Sequence, residues 1–171
     1  VITTNGGLWR YRLGDTIKFS SVNPFRIMVS GRTRHFINAF GEEVMIDNAE
    51  FALSHACSQT QSAVIDYTVA PSYMNAGAQG FHEWLIEFSV PPIDIALFSN
   101  LLDQSLRKVN ADYDAKRYKD MALLQPKVHI AEPQTFYRWL KLKGKLGGQH
   151  KVPRLSNDRE YLDPLLEMQS K

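Results

Sequence analysis

The sequence predicts an α+β fold: a mostly antiparallel sheet with helices packed against it, preceded by a small β-hairpin. Three observations lead there. Aromatic and β-branched residues cluster or alternate over 16–20, 25–29, 63–69 and 84–90, as strands do. Apolar residues recur at helical spacing over 49–57 and 98–109. The order of these segments is two small hairpins, then helix, strands, helix, strand and helix, without the strict alternation of a parallel α/β sheet.

The elements follow in order. Residues 8–12 and 16–20 read as two strands around a tight Leu13-Gly14-Asp15 corner. A loop at Asn23-Pro24 leads to a third strand in which Phe25, Ile27 and Val29 share one face, before Ser30-Gly31 ends it. Residues 36–45 form a second hairpin-like element around Gly41. Asp47 with Glu50 three residues on resembles a capping box, and Ala49, Leu53, Ala56 and Cys57 then place Cys57 toward the core of a helix. Ala63 to Val69 is a strand. In Trp84 to Val90, Trp84, Ile86, Phe88 and Val90 face one way and Glu87 and Ser89 the other, which predicts one wet face of the sheet. Pro71 to Gly80 reads as a mobile loop by composition. Phe98, Leu101, Leu102, Leu106 and Val109 make one stripe of a helix. Lys127 to Ala131 is a short strand, and Pro133 opens a helix to about Leu142. A basic, glycine-rich loop from Lys143 to Arg154 precedes a last helix near Asp158 to Met168.

Composition narrows the function. A length of 171 residues suits about one domain with a small appendage. Hydrophobic and charged contents of 44% and 22% exclude collagen-like, low-complexity and wholly disordered chains. Twenty basic against 18 acidic residues leave +2, too little to argue for nucleic acid or membrane on balance alone. No apolar run is long enough for a membrane span, and the expected setting is cytoplasmic. Cys57 is the single cysteine, which excludes an internal disulfide and every multi-cysteine zinc pattern. His55 and His82 have no second ligand at metal spacing, so no metal site is expected. The chain starts at Val1, and is expected to be part of a longer protein.

Three segments carry residues suited to chemistry: 7–15, 30–41 and 147–154. Asp15 on a tight turn offers two acceptor oxygens, the geometry that takes both hydroxyls of a ribose; a turn residue is the plainer alternative. Arg32 after Gly31 offers a fork of donors for a sugar or phosphate, or is a solvated loop residue. Lys151 on a glycine-rich loop reaches a phosphate as a point charge, or belongs to a solvated basic loop. Adjacent Glu42 and Glu43 are expected to face opposite ways rather than share acid and base work.

Taken together these segments resemble the auxin-responsive promoter family of acyl acid amido synthetases, within the adenylate-forming superfamily. Tyr11-Arg12-Leu13-Gly14-Asp15 is similar to the superfamily's Tyr-Arg-x-Gly-Asp nucleotide motif. Gly31-Arg32, followed by Gly41 and Val44, is similar to its hinge motif, and Lys151-Val152-Pro153-Arg154 to the late segment bearing its catalytic lysine. The resemblance implies that residues 1–30 are the last hairpin of a nucleotide-binding N-terminal region and 31–171 a mobile C-terminal domain. It implies ATP as a bound substrate, with Mg2+ held mainly by the N-terminal domain. Asp15 and Arg32 would bind nucleotide, Arg34 would serve as hinge, and Lys151 would be catalytic. The hinge pattern departs at Arg34, His35 and Asn38, where two acids and a later lysine are usual. Gln149-His150 replaces the usual Ser-Gly before the lysine, so Lys145 after Gly144 competes with Lys151.

The implied reaction is adenylation of an acyl carboxylate by ATP, then attack by an amino acid amine to give an amide and AMP; this chain alone is expected to be inactive. The substrates would be an acyl acid and an amino acid, with no nucleic acid or membrane partner. One alternative sends the adenylate to a thiol such as coenzyme A. Another is a nucleic-acid-binding module using Arg138, Lys141, Lys143, Lys145, Lys151 and Arg154, with Tyr137 and Trp139 stacking on bases.

Overall fold

The computed structural model describes residues 1–11, 14–32, 36–74, 79–120, 122–145 and 151–169. The chain divides into two compact units, 1–35 and 36–171.

In the first unit β1 (Asp15–Val22) and β2 (Phe25–Arg32) pair antiparallel across a two-residue turn at Asn23-Pro24. The expected pairing of residues 8–12 with 16–20 is corrected. Tyr11 instead makes an isolated antiparallel bridge with Ile2, with N–O distances of 2.8 and 2.9 Å. The strand that begins at Asp15 pairs instead across the Asn23-Pro24 turn, from Asp15 opposite Arg32 to Val22 opposite Phe25. β2 also runs through Ser30-Gly31 to Arg32.

The second unit opens with β3 (Phe36–Ile37) and β4 (Val44–Met45), an antiparallel pair as expected. α1 (Ile46–Thr60) follows without a break and buries Ala49, Ala52, Leu53 and Ala56. Its cap is not the expected Asp47–Glu50 box: Asn48 Oδ1 accepts from the Met45 amide at 3.0 Å. Because the helix begins at Ile46, Asp47 lies within its first turn, where a negative charge suits the dipole. β5 (Ala63–Met74) and β6 (Gln79–Val90) form a long antiparallel pair, and β7 (Lys127–Ala131) adds to β6 in parallel.

The expected loop at 71–80 is therefore mostly strand. Pro71 is tolerated because it lies on an edge. The Val69 amide points outward from β5 to the Arg154 carbonyl at 2.9 Å, and position 71, two residues on, faces the same edge, where the missing donor is not needed.

α2 (Ile95–Val109) carries the expected stripe, buried at Phe98, Leu102 and Leu106, and Asp94 caps it through the amides of Ala96 and Leu97 at 2.8 and 3.0 Å. α3 (Ala111–Arg117) was not foreseen; it buries Tyr113 and Arg117, both hydrogen-bonded to Asp103 at 2.7–2.8 Å. α4 (Thr135–Leu142) and α5 (Leu162–Gln169) complete the unit. α5 starts later than Asp158, whose carboxylate accepts from the Glu160 amide at 3.0 Å in the preceding turn.

The sheet has a core on each side. Ile37, Leu53, Val69, Trp84, Ile86, Phe88, Phe98 and Leu102 form one; Ala70, Leu85, Ala131, Phe136, Trp139 and Leu165 form the other. The prediction of a wet face is thus overturned: α4 and α5 cover the side that carries Leu85. The acidic residues on that side are buried with partners. Glu83 meets His129 at 2.7 Å and Arg159 at 2.9 Å, and Glu87 accepts from the Gln134 amide at 2.7 Å, capping the start of α4. No described helix is long and apolar enough to cross a membrane.

Candidate active site

Residues 151–156 lie in an extended segment along the outer edge of β5. Val69 donates to the Arg154 carbonyl, the Ser156 amide donates to the Val69 carbonyl at 3.0 Å, and Thr68 Oγ1 donates to the Pro153 carbonyl at 2.8 Å. Val152 is buried in one core and Leu155 in the other. Two apolar anchors three residues apart, on opposite sides of the sheet, set the segment's register and leave Lys151 exposed at its start.

Arg154 is held by three neighbours. Its guanidinium pairs with Glu50 of α1, lies 3.9 Å from Asp66 and stacks 5.3 Å from the Tyr67 ring centroid. Tyr67 in turn donates to Glu50 Oε1 at 3.0 Å. Burial raises the Asp66 carboxyl above its ordinary value, against the Tyr67 amide and the charges of Arg154 and Lys151, which pull it down. Burial and the neighbouring Glu50 charge also raise the Tyr67 phenol far above its usual range, so it stays a donor.

Beside this cluster a cavity of about 680 Å³ opens between the sheet and α4, lined by Ile65, Asp66, Glu87, Phe136, Tyr137 and Leu140 among others. A smaller one of about 250 Å³ lies between α1 and β5, with Arg154 and Cys57 in its wall.

The sequence-predicted residues fall in different places. Asp15 and Arg32 are direct partners across the β1–β2 ladder, so their backbones are brought together; their side chains lie outside the described residues. Arg34 also lies outside the described residues. Lys145 closes the turn that ends α4, its amide donating to the Leu140 carbonyl at 2.9 Å, after Gly144 takes a left-handed φ of 64°. Lys151 instead belongs to the edge segment.

Of the two residues expected to stack on bases in the nucleic-acid alternative, Tyr137 is exposed and Trp139 is not. Trp139 is 6% exposed within the second core, while Arg138 and Arg154 are engaged by Glu132 and Glu50.

Sequence reading missed two arrangements. Glu42 is buried, not paired with the exposed Glu43. Its carboxylate lies 2.8 Å from His82 Nε2 and accepts from the amides of Ala39 and Phe40 at 3.1 and 2.6 Å. Burial works to raise its carboxyl, but the His82 hydrogen bond and charge and the Phe40 amide outweigh it and leave the value lowered. Asn157 joins residues far apart in the chain: its Oδ1 accepts from the Asn38 amide at 2.7 Å and its Nδ2 donates to the Phe36 carbonyl at 2.9 Å. Neither partnership has a local sequence signal.

Comparison with known proteins adds to this geometry. Residues 47–160 match the GH3 family C-terminal domain, and residues 1–32 match the GH3 family central domain. The chain belongs to the GH3 family. Two solved structures share the GH3 fold over nearly all of it. One, described as GH3.15 acyl acid amido synthetase, aligns over 97% of this chain with a TM-score of 0.75 and 19% identity. The other, AtGH3.15 acyl acid amido synthetase in complex with 2,4-DB, aligns over 96% with a TM-score of 0.74 and 18% identity. The GH3 chain described here spans about 31% of the length of each. No curated protein matches it.

Proposed function

We propose that this GH3 chain is the C-terminal part of an ATP-dependent acyl acid amido synthetase. The observation that carries the reading is the edge segment 151–156: within a GH3 family C-terminal domain, it presents an exposed lysine from a backbone held by β5 and by a side chain buried in each core.

In the first step an oxygen of the acyl carboxylate bonds to the α-phosphorus of ATP and the bond to pyrophosphate breaks, leaving an acyl adenylate. In the second, an amino acid amine attacks the acyl carbon and loses its proton, and AMP departs with the C–O bond electrons. Lys151 stabilises negative charge gathering on the phosphate and carboxylate oxygens in the first step, a contribution of about 3 kcal/mol for one such contact. Asp15 accepts hydrogen bonds from the ribose hydroxyls, and Arg32 supports the nucleotide. Arg34 provides backbone freedom for a domain rotation that withdraws Lys151 before the second step.

Among the described residues no three His, Cys, Asp or Glu side chains group to hold a metal ion. The Mg2+ that accompanies ATP would be held mainly by the N-terminal domain.

The test uses the intact protein. Lys151→Ala is expected to slow ATP–pyrophosphate exchange about a hundredfold, the size of one lost charge-stabilising contact, while sparing amide formation from a supplied acyl adenylate. Lys145→Ala in parallel decides between the two lysines, since a selective loss there alone moves the role to Lys145. Mass analysis of the product with amine or thiol acceptors separates amide from thioester formation.

A further inference from the structure

A flexible side chain can stabilise a transition state only if its backbone is fixed, because a misplacement of about 1 Å can cost roughly a hundredfold in rate. Lys151 has four rotatable bonds and is exposed. What fixes it among the described residues is the chain that follows. Val152 and Leu155 hold the segment against the sheet, but apolar burial is non-directional and does not by itself set where a strand end points. Hydrogen bonds to Val69 and Thr68 tie residues 153–156 to the edge of β5, and the side chains of Arg154 and Asn157 add directional contacts of their own.

Arg154 reaches Glu50 on α1 and Asp66 and Tyr67 on β5. Asn157 reaches β3. Its carboxamide gives one hydrogen bond and takes one, at Phe36 and Asn38, the pattern a paired strand would supply. An aspartate could accept from Asn38 but would set a carboxylate against the Phe36 carbonyl. A short aliphatic side chain could do neither. The two grips belong to different elements, so together they resist both sliding and rotation of the segment.

We propose that Arg154 and Asn157 form a two-point clamp that positions Lys151 for adenylation. Both are positioning residues that act through the lysine, and the proposal rests on the adenylation reading of Lys151 given above. β3 is the first strand after residues 33–35, so Asn157 ties the lysine-bearing segment to the start of the same unit.

The experiment compares Asn157→Ala, Asn157→Asp, Arg154→Lys and Lys151→Ala in the intact protein. It measures pyrophosphate exchange, amide formation from supplied acyl adenylate, and melting temperature. Asn157→Ala should lower kcat for exchange about ten- to a hundredfold, the range for a misplaced catalytic group, with KM for ATP little changed and the second half-reaction intact. Asn157→Asp should lose at least as much as the alanine variant, and Arg154→Lys, which keeps the charge without the fork, should show the same selectivity. In a Lys151→Ala background, Asn157→Ala should have no further effect on exchange, since a group that acts through the lysine has nothing left to position.

Three results overturn the clamp: unchanged exchange in a folded Asn157→Ala protein, equal loss in both half-reactions, or a full additional loss in the Lys151→Ala background. If Lys151→Ala itself leaves exchange intact, the adenylation reading falls and takes the clamp with it. If Lys151→Ala slows exchange and the clamp variants do not, only the clamp falls.

Discussion

Gly80 sits where three parts of the second unit meet. A Cβ built there would lie 2.2 Å from the Ser72 carbonyl and 2.3 Å from Cζ of Phe40, while the Gly80 backbone exchanges hydrogen bonds with Ala122 and Leu124 at 3.1 and 2.7 Å. The absent side chain is what lets the Phe40 ring lie against the sheet. Gly80→Ala is expected to destabilise the domain by about 1–3 kcal/mol, the usual cost of overpacking, read as a lower urea midpoint at unchanged slope. From sequence Gly80 reads as the end of a loop, because the Ser72 carbonyl and the Phe40 ring that forbid a side chain come from the neighbouring strand and from 40 positions away. The segment that carries Lys151 stands out in the sequence, since the motif is contiguous with Pro153 and Arg154, but its place along the edge of β5 has no local signal. Glu42 and His82 do not stand out: each looks like a lone polar residue, and only the packing of the β3–β4 turn on β6 makes them a pair.

At the scale of elements, helices with a broad apolar stripe are legible and short ones are not. α2 announces itself through Phe98, Leu102 and Leu106, whereas α3 has seven residues and a single large apolar anchor, Tyr113. The sheet's second face reads as solvated because Glu87 and Ser89 alternate with Ile86, Phe88 and Val90 along β6. Glu87, and Glu83 on the same face, are instead buried with partners at the start of α4 and on β7, none of which lies nearby in sequence. The start of α2 offers a clean measurement. Asp94 satisfies two otherwise unpaired amides, so Asp94→Ala should cost about 1 kcal/mol in chemical unfolding, and Asp94→Ser much less. A cost near zero for both would mean that water replaces the cap fully.

For the whole molecule, stability is tied to pH through a few buried carboxylates. Glu42 and Glu83 both have lowered values: burial alone would raise them, but His82 and the Phe40 amide outweigh it for Glu42, as His129 and Arg159 do for Glu83. The unfolded chain therefore takes up these protons at a higher pH than the folded one. The stability they confer is complete above the ordinary carboxylate value and is lost as pH falls through it toward the lower folded values. Asp66, raised by burial, works in the opposite direction but is more exposed and single. The melting temperature should accordingly hold steady from neutral pH down to about 5 and then fall, and Glu42→Gln should be less stable at neutral pH with a shallower acid slope. An identical acid slope in Glu42→Gln would remove Glu42 from that account. The reach of Asn157 back to Phe36 bears on how the molecule is made. The two residues are 121 positions apart, and Arg154 and Glu50 are 104 apart. During synthesis the β3–β4 and β5–β6 pairs and the α1–α2 layer can assemble from chain already outside the ribosome, while the contacts of Phe36 and Asn38 with Asn157 wait until residue 157 has emerged. The edge segment 151–156 is thus placed after the strands it lies against, so the exposed lysine it carries is positioned only when there is already a paired sheet to hold it.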